Sequence, residues 1–192
     1  MTVDSPAQLI PAWDDDGRFR PFDKLTVHRL GLRHPAISVF VIRGNQVLLQ
    51  QRAAAKYHTP GFWANTCCTH PHWDETAAEC AVRRLDEELG ISEVAVRHVG
   101  QVEYRAVVPG RQEDLIEHEV VQVFVGDAPA LLPISPDPNE VQNVLWITLA
   151  DLRARIRAQP QQFTPWLRIY LAEHSDMIFA GSTLSETVPD HA

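Results

Sequence analysis

Cys68 and His70 bring a thiol and an imidazole two positions apart, in the segment 59–72 that reads TPGFWANTCCTHPH. If the backbone is extended there, side chains two positions apart point to the same face and could line one pocket. A thiol has a reference pKa of about 8.5, so it is largely protonated at neutral pH and can act as an acid. An imidazole is a common metal ligand. The segment therefore predicts a proton donor and a metal ligand in the same site.

Two acidic residues, Glu117 and Glu119, lie in the apolar segment 115–125. In a strand they point to one face, and His118 points to the other. Two carboxylates on one face repel each other unless a cation or a proton lies between them. An edge strand with solvated acids is the alternative, but the neighbouring Ile116 and the apolar residues at 120–123 favour a buried strand. The pair is therefore a candidate metal or proton site.

Most of the elements that would position these groups are strands. Apolar and β-branched runs predict strands at 36–43, 46–51, 94–106, 116–125 and 141–147, after an N-terminal hairpin at 8–24. Helices are expected at 74–89, capped by Asp74 and ended by Gly90, at 148–158 behind Thr148, and finally from Pro165. A proline-rich surface loop is expected at 131–139. Strands mixed with a few helices indicate an α/β or α+β sandwich and not a doubly wound fold.

Length and composition restrict the class of protein. The 192 residues suit a single domain, 1–192, with a hairpin within 1–23 and a loose tail at 181–192. The net charge of −8, with scattered cations, argues against nucleic acid as a partner but allows a small anionic ligand. Three cysteines indicate a reduced, cytoplasmic protein. No apolar run reaches the ~18 residues of a membrane span, and there is no secretory signal. The oligomeric state stays open.

The segment 75–91 resembles the Nudix box, whose pattern is G-x5-E-x7-R-E-U-x-E-E-x-G-U. Seven positions fall in register: Glu75, Arg83, Leu85, Glu87, Glu88, Gly90 and Ile91. Thr69 replaces the leading glycine, and Arg84 replaces a glutamate that Nudix hydrolases use to hold metal. Together with the cysteine segment, this pattern resembles the type I isopentenyl diphosphate isomerases of the Nudix superfamily, from about residue 24 to 166. The resemblance implies a Nudix-like fold of mixed sheets between helices.

The resemblance also implies a set of site residues. A metal site would use His28, His34, His70, Glu117 and Glu119 for Mn²⁺, Mg²⁺ or Zn²⁺, although the spacing of His28 and His34 is one residue shorter than usual in the family. Glu88 would help to hold a substrate-linked Mg²⁺, and the diphosphate would meet Arg52, Lys56 and Arg84. The remaining histidines are expected not to be ligands: His58, His72, His98, His118, His174 and His191.

The implied activity is interconversion of isopentenyl and dimethylallyl diphosphate by protonation and deprotonation, in isoprenoid biosynthesis. Cys68, which lies two before the metal-binding histidine, and Glu119 would handle protons. Tyr104 would assist Glu119, Trp166 would face the carbocation, and Trp63 would shape the cysteine loop. A Nudix hydrolase of a nucleoside or other diphosphate is the alternative, and a non-catalytic binding module is the third. Arg84, which holds phosphate and cannot ligate metal, counts against hydrolysis.

Overall fold

A mixed β-sheet with helices on both faces organises the chain in this computed structural model, which describes residues 9–182. The described strands are β1 (Leu9–Trp13), β2 (Phe19–Asp23), β3 (His34–Arg43), β4 (Gln46–Arg52), β5 (Trp63–Ala64), β6 (Cys67–Thr69), β7 (Val96–Val108), β8 (Leu115–Asp127) and β9 (Val141–Thr148). The described helices are α1 (Lys24–Leu30), α2 (Ala77–Leu89), α3 (Leu149–Ala158), α4 (Pro165–Glu173) and α5 (Ser175–Phe179). The α+β class predicted from the sequence is confirmed.

Strand β3 is at the centre of the larger sheet. It pairs in parallel with β8, and antiparallel with β6 and, at one end, with β4. Strand β8 pairs antiparallel with β7, and β4 pairs antiparallel with β5 and β9. The register of the parallel pair aligns His34 with Glu119. Two residues that are distant in sequence are therefore neighbours in the sheet.

Alternate side chains of β3 enter two different cores. Ile37, Val39 and Val41 pack with the apolar face of α2. Ala36, Phe40 and Ile42 pack on the opposite face, with residues of α3, α4 and α5. Since side chains alternate between the faces of a strand, a strand with helices on both sides is mostly apolar. This explains the apolar run that identified β3 in the sequence, in which Ser38 is the one polar residue between positions 36 and 42.

Helix α1 was not predicted, although it carries His28. Asp23 caps its N-terminus by accepting a hydrogen bond from the Thr26 backbone N–H at 2.9 Å. Gly31 ends it with a φ of 64°, and a Cβ at this glycine would lie 2.8 Å from Ile116 Cγ2. Both signals are legible in the sequence. They flank only seven residues, too few for a clear helical period.

Helix α2 begins later than predicted, and Asp74 does not cap it. Thr76 is the N-cap: its side chain accepts from the Glu79 backbone N–H, and the Glu79 side chain accepts from Thr76 in return. This reciprocal capping box satisfies two backbone donors, which one aspartate could not do. Glu75 precedes the helix and pairs with Arg83 at 2.6 Å. Gly90 ends the helix as predicted, with a φ of 64°.

The C-terminal helices partly follow the prediction. Thr148 caps α3, and Pro165 is the first residue of α4. The helix from Pro165 is not the final one, because α5 follows directly after His174. The tail predicted from 181 lies almost wholly outside the described residues. Among residues 9–182, no helix is long and apolar enough to span a bilayer.

Candidate functional site

Five buried side chains converge near the N-terminal ends of the parallel strands β3 and β8. Their ligand atoms lie within 4.8 Å of one another. Helix α1 supplies His28, β3 supplies His34, the segment after β6 supplies His70, and β8 supplies Glu117 and Glu119. Each is at most 8% exposed. These are the five residues that the resemblance nominated as metal ligands.

Two of the three imidazoles, those of His28 and His34, are oriented as metal ligands usually are. Nδ1 of His28 lies 2.6 Å from the carbonyl oxygen of Lys24, and Nδ1 of His34 lies 2.7 Å from that of Leu32. A proton on Nδ1 that is donated to a backbone carbonyl leaves Nε2 with a free lone pair. Nε2 of His34 then lies 3.1 Å from Nε2 of His70. Two ring nitrogens that face each other in this way suit a shared cation.

The carboxylates also have atoms available for a cation. His28 Nε2 lies 3.2 Å from Glu117 Oε2, yet neither atom makes a hydrogen bond within the described chain. Burial and the nearby Glu117 charge raise the pKa of Glu119, but the imidazoles of His34 and His70 outweigh them and lower it to about 2. Glu119 is therefore ionised at neutral pH. Three imidazoles and two carboxylates fit a divalent ion with mixed nitrogen and oxygen ligands.

Tyr104 holds the outer oxygen of Glu119. Its phenol, on β7, donates to Glu119 Oε2 at 2.5 Å, because β7 and β8 pair these two residues in register. The inner oxygen, Oε1, lies 2.9 Å from His70 Nε2. Burial raises the pKa of Tyr104 well above its usual value. The phenol therefore keeps its proton and remains a donor to the carboxylate.

Cys68 is held as a neutral thiol. Its Sγ donates to Asn65 Oδ1 at 2.9 Å and lies 3.1 Å from Ser38 Oγ. Burial raises the pKa of Cys68 to about 12, although the hydrogen bond with Ser38 opposes the change. A protonated thiol and an ionised carboxylate, that of Glu119, thus line the same cavity.

Trp166 forms another wall of this cavity. It is the second residue of α4 and only 3% exposed. Its indole lies 6.0 Å from the ring of His58 and 5.6 Å from the guanidinium carbon of Arg52, measured to the ring centres. Trp166 therefore presents an aromatic ring to the cavity, with the Arg52 cation beside it.

The cationic end of the cavity contains Arg52, Lys56 and Arg84, together with Glu88. Arg84 and Glu88 form a bond of 2.5 Å and expose only 15% and 5% of their side chains. Both side chains are thus far more buried than an ion pair on a solvent-exposed helix face. Gln50 donates to the other oxygen of Glu88 at 2.9 Å. Glu87 is exposed and pairs with Arg83 and Arg84.

Comparison with known proteins places the chain in a family. The NUDIX domain profile matches residues 32–167. An isopentenyl-diphosphate Delta-isomerase of Cereibacter sphaeroides is 58% identical over 172 residues, 90% of this chain and 95% of the relative. The protein of that name from Rhodobacter capsulatus is also 58% identical, over 90% and 96%. That from a Jannaschia species is 55% identical over 91% and 97%. The chain belongs to the isopentenyl-diphosphate Delta-isomerase family.

Solved NUDIX structures share the fold of this family member. The MutT protein of Methanosarcina mazei superposes with a TM-score of 0.55 at 18% identity, over 72% of this chain and 90% of its own. A MutT NUDIX hydrolase of Burkholderia pseudomallei gives 0.54 at 24% identity, over 72% and 95%. At such identities the likeness concerns the fold alone. The predicted Nudix-like architecture and the family assignment are both confirmed.

This isopentenyl-diphosphate Delta-isomerase family member has three further charged or polar residues at the site that sequence reasoning missed. Burial and the charges of Lys56 and Arg84, two of the predicted diphosphate cations, lower the pKa of Lys24 to about 8. Its position four before His28 on one helical face was a usable signal. Glu140 follows the proline-rich loop and pairs with both Lys56 and Arg84. No local pattern indicated this pairing.

His58 is the third missed residue, and within residues 9–182 it lies closer to the site than any other histidine predicted not to be a ligand. Its Nε2 is 3.1 Å from Glu117 Oε1. By contrast, His72 and His98 are exposed. His118 lies 3.3 Å from the Gly31 carbonyl oxygen, on the face away from the cluster. His174 lies between α4 and α5, and His191 is outside the described residues.

Proposed function

We propose that this protein interconverts isopentenyl diphosphate and dimethylallyl diphosphate by moving one proton on and another off the carbon chain. One observation carries the proposal beyond the family name: a neutral, partly buried thiol, Cys68, and an ionised, buried carboxylate, Glu119, line one cavity. A double-bond shift along an unactivated chain needs a proton donor and a proton acceptor at the same time. Pure binding of a diphosphate would need neither group.

Cys68 and Glu119 exchange protons with the substrate carbons in this proposal. One gives a proton to the alkene and the other takes one from a neighbouring carbon, and the reverse direction exchanges the roles. Tyr104 supports Glu119 through its hydrogen bond of 2.5 Å, which holds the carboxylate in place and shares its charge. The intermediate is a tertiary carbocation, which water would trap. The burial of Glu119 and Tyr104 and the partial burial of Cys68 favour a dry reaction.

Trp166 stabilises the carbocation through its ring face. A cation within about 6 Å of an indole centroid is attracted by the negative face of the ring. The indole is almost fully buried and lines the cavity that contains Cys68 and Glu119. Trp63, on β5, supports the cysteine loop: its carbonyl oxygen accepts from the Thr164 backbone N–H at 2.9 Å, which links the loop to the start of α4.

The diphosphate binds at the cationic end of the cavity. Arg52, Lys56 and Arg84 donate to its oxygens, with Lys24 as a further cation. Several donors are needed because the group carries two to three negative charges, and charge-assisted hydrogen bonds to phosphate are among the strongest in proteins. Glu88 faces the same end and helps to hold the Mg²⁺ that accompanies the diphosphate. Arg84 takes the place of a hydrolase metal ligand, which favours retention of the diphosphate over its cleavage.

The cluster of three histidines and two glutamates holds one divalent ion, Mn²⁺, Mg²⁺ or Zn²⁺. The unpartnered His28 Nε2 and Glu117 Oε2, and the facing nitrogens of His34 and His70, support this assignment. A bound ion would neutralise the paired carboxylates and fix the orientation of Glu119. The chain itself provides the remaining order, through the backbone carbonyls behind the imidazoles and through Tyr104.

Proton and phosphorus NMR in D₂O tests the proposal directly. Purified protein with isopentenyl diphosphate, Mg²⁺ and Mn²⁺ should give dimethylallyl signals with deuterium uptake, while the phosphorus spectrum keeps an intact diphosphate. Cys68→Ala should abolish the conversion. Cys67→Ala is the matched control, since the neighbouring thiol is buried in the core beneath α2. Phosphate release without alkene movement would instead establish a hydrolase and refute the proposal.

A further inference from the structure

His58 contacts the metal cluster from outside, and nothing in the family resemblance assigns it a role. It follows β4, forms an isolated β-bridge with Gly110, and is only 6% exposed. Its Nε2 lies 3.1 Å from Glu117 Oε1. The other oxygen of the same carboxylate, Oε2, is the one that lies 3.2 Å from His28. Each oxygen of Glu117 therefore lies next to a different imidazole: Oε1 next to that of His58, and Oε2 next to that of His28.

Glu119 shows the same division of its two oxygens. Tyr104 donates to Oε2, and Oε1 faces the imidazoles of His70 and His34 at 2.9 and 3.8 Å. Each carboxylate of the cluster thus has one oxygen directed at the imidazoles and one held by a donor from a neighbouring segment. His58 stands to Glu117 as Tyr104 stands to Glu119. This correspondence rests on geometry alone.

The ring of His58 is fixed by its surroundings. Arg52 Nη2 lies 3.4 Å from both ring nitrogens and donates to the His58 carbonyl oxygen at 3.3 Å. The Tyr57 ring packs against the imidazole of His58, and the two ring centroids are 4.3 Å apart. Nε2 is the ring nitrogen that faces Glu117, and a carboxylate oxygen can only accept a hydrogen bond from an imidazole N–H. The proton on Nε2 therefore points at Oε1.

We infer that His58 is a positioning residue of the metal centre: it donates Nε2–H to Glu117 Oε1 and thereby turns Oε2 towards the cation. Donors behind a ligand carboxylate restrict its rotation and remove the alternative in which both oxygens compete for the ion. The inference rests on the metal centre in the proposed function. It does not depend on which reaction the protein catalyses.

Mn²⁺ binding measured without substrate tests the inference, with the free ion counted by electron paramagnetic resonance. His58→Phe keeps a ring against Arg52 but has no donor, and should weaken Mn²⁺ binding by about 10- to 100-fold, as loss of a ligand's hydrogen-bond partner does elsewhere. His58→Gln can present an amide donor near the position of Nε2, and should restore most of that loss. His98→Gln is the matched control, because His98 is exposed and bonds only to Gln122 among its hydrogen-bond contacts in the described chain.

The outcomes separate the possible failures. A folded His58→Phe protein that binds Mn²⁺ as tightly as the wild type would overturn the inference, and so would equal losses in His58→Phe and His58→Gln, which would mean that ring shape and not the donor matters. Melting curves of both variants establish that they are folded. A wild-type protein that binds Mn²⁺ but does not isomerise its substrate would refute the proposed function alone. A wild-type protein that binds no Mn²⁺ would refute the metal centre and this inference together.

Discussion

The Tyr104→Phe substitution removes one hydroxyl and measures how much its hydrogen bond to Glu119, the proposed base, contributes to catalysis. The phenol donates to Glu119 Oε2 at 2.5 Å, and both residues are 8% exposed. A hydrogen bond to a charged group contributes about 1.5–3 kcal/mol. The bond changes strength whenever Glu119 gains or loses a proton, so its energy bears on the barrier. If the whole amount does so, kcat falls by about 10- to 150-fold.

The assay is kcat and KM from the proton NMR time course, alongside the melting temperature. KM should change little, because Tyr104 contacts none of the cations at the diphosphate end. Tyr57→Phe is the control: its hydroxyl is also buried, yet it makes no hydrogen bond to any described residue. A Tyr104→Phe protein with kcat within about threefold of the wild type would refute the reasoning, as would a change confined to KM.

Three further predictions concern charge and stability. Burial and the neighbouring Lys56 and Arg84 charges lower the pKa of Lys24 to about 8, so its charge is present at pH 7 and lost above pH 8. Pyrophosphate binding by the wild type, measured by calorimetry, should therefore weaken across that pH range. The Lys24→Met protein should bind pyrophosphate more weakly at pH 7 and should not show this pH-dependent loss. Hydrogen bonds from Arg83 lower the pKa of Glu75 to about 2. The stability that ionised Glu75 gives the fold is therefore complete above the ordinary pKa of 4.5 and is lost as the pH falls through about 2. Glu75→Gln should lower the free energy of unfolding in urea by about 1–3 kcal/mol at pH 7 and have no effect near pH 1.5. Thr76→Ala removes the N-cap of α2 and should lower stability by about 1 kcal/mol, seen as a melting temperature about 3 °C lower, and an unchanged melting temperature would contradict the capping box.

Local patterns sufficed for the elements that are long and strongly patterned. The largely apolar run of β3 and the glycine at the end of α2 depend on nearest neighbours along the chain, and both were predicted correctly. The start of α2 was placed wrongly because three acceptors, at 74, 75 and 76, compete for the cap in sequence. Only the reciprocal bond between Thr76 and Glu79 decides among them. Helix α1 was missed because seven residues give too little periodicity.

The candidate site was less accessible to local reasoning. Spacing alone indicated that Glu117 and Glu119 share a face, but could not show which histidines meet them. The parallel register that aligns His34 with Glu119 is set by tertiary packing, so only the family resemblance could nominate that pair. His58 had no such help. Its contact with Glu117 depends on the path of the segment after β4, which no periodic pattern encodes.

The parallel pairing of β3 with β8 also bears on how the chain folds. Residues 34–42 align with residues 119–127, and the chain between them carries β4, β5, β6, α2 and β7. Contacts of such long range close large loops and form slowly. The five clustered side chains can therefore meet only after most of the sheet has assembled. A partly folded intermediate would lack the cluster, so its formation in a refolding experiment should coincide with the final cooperative phase.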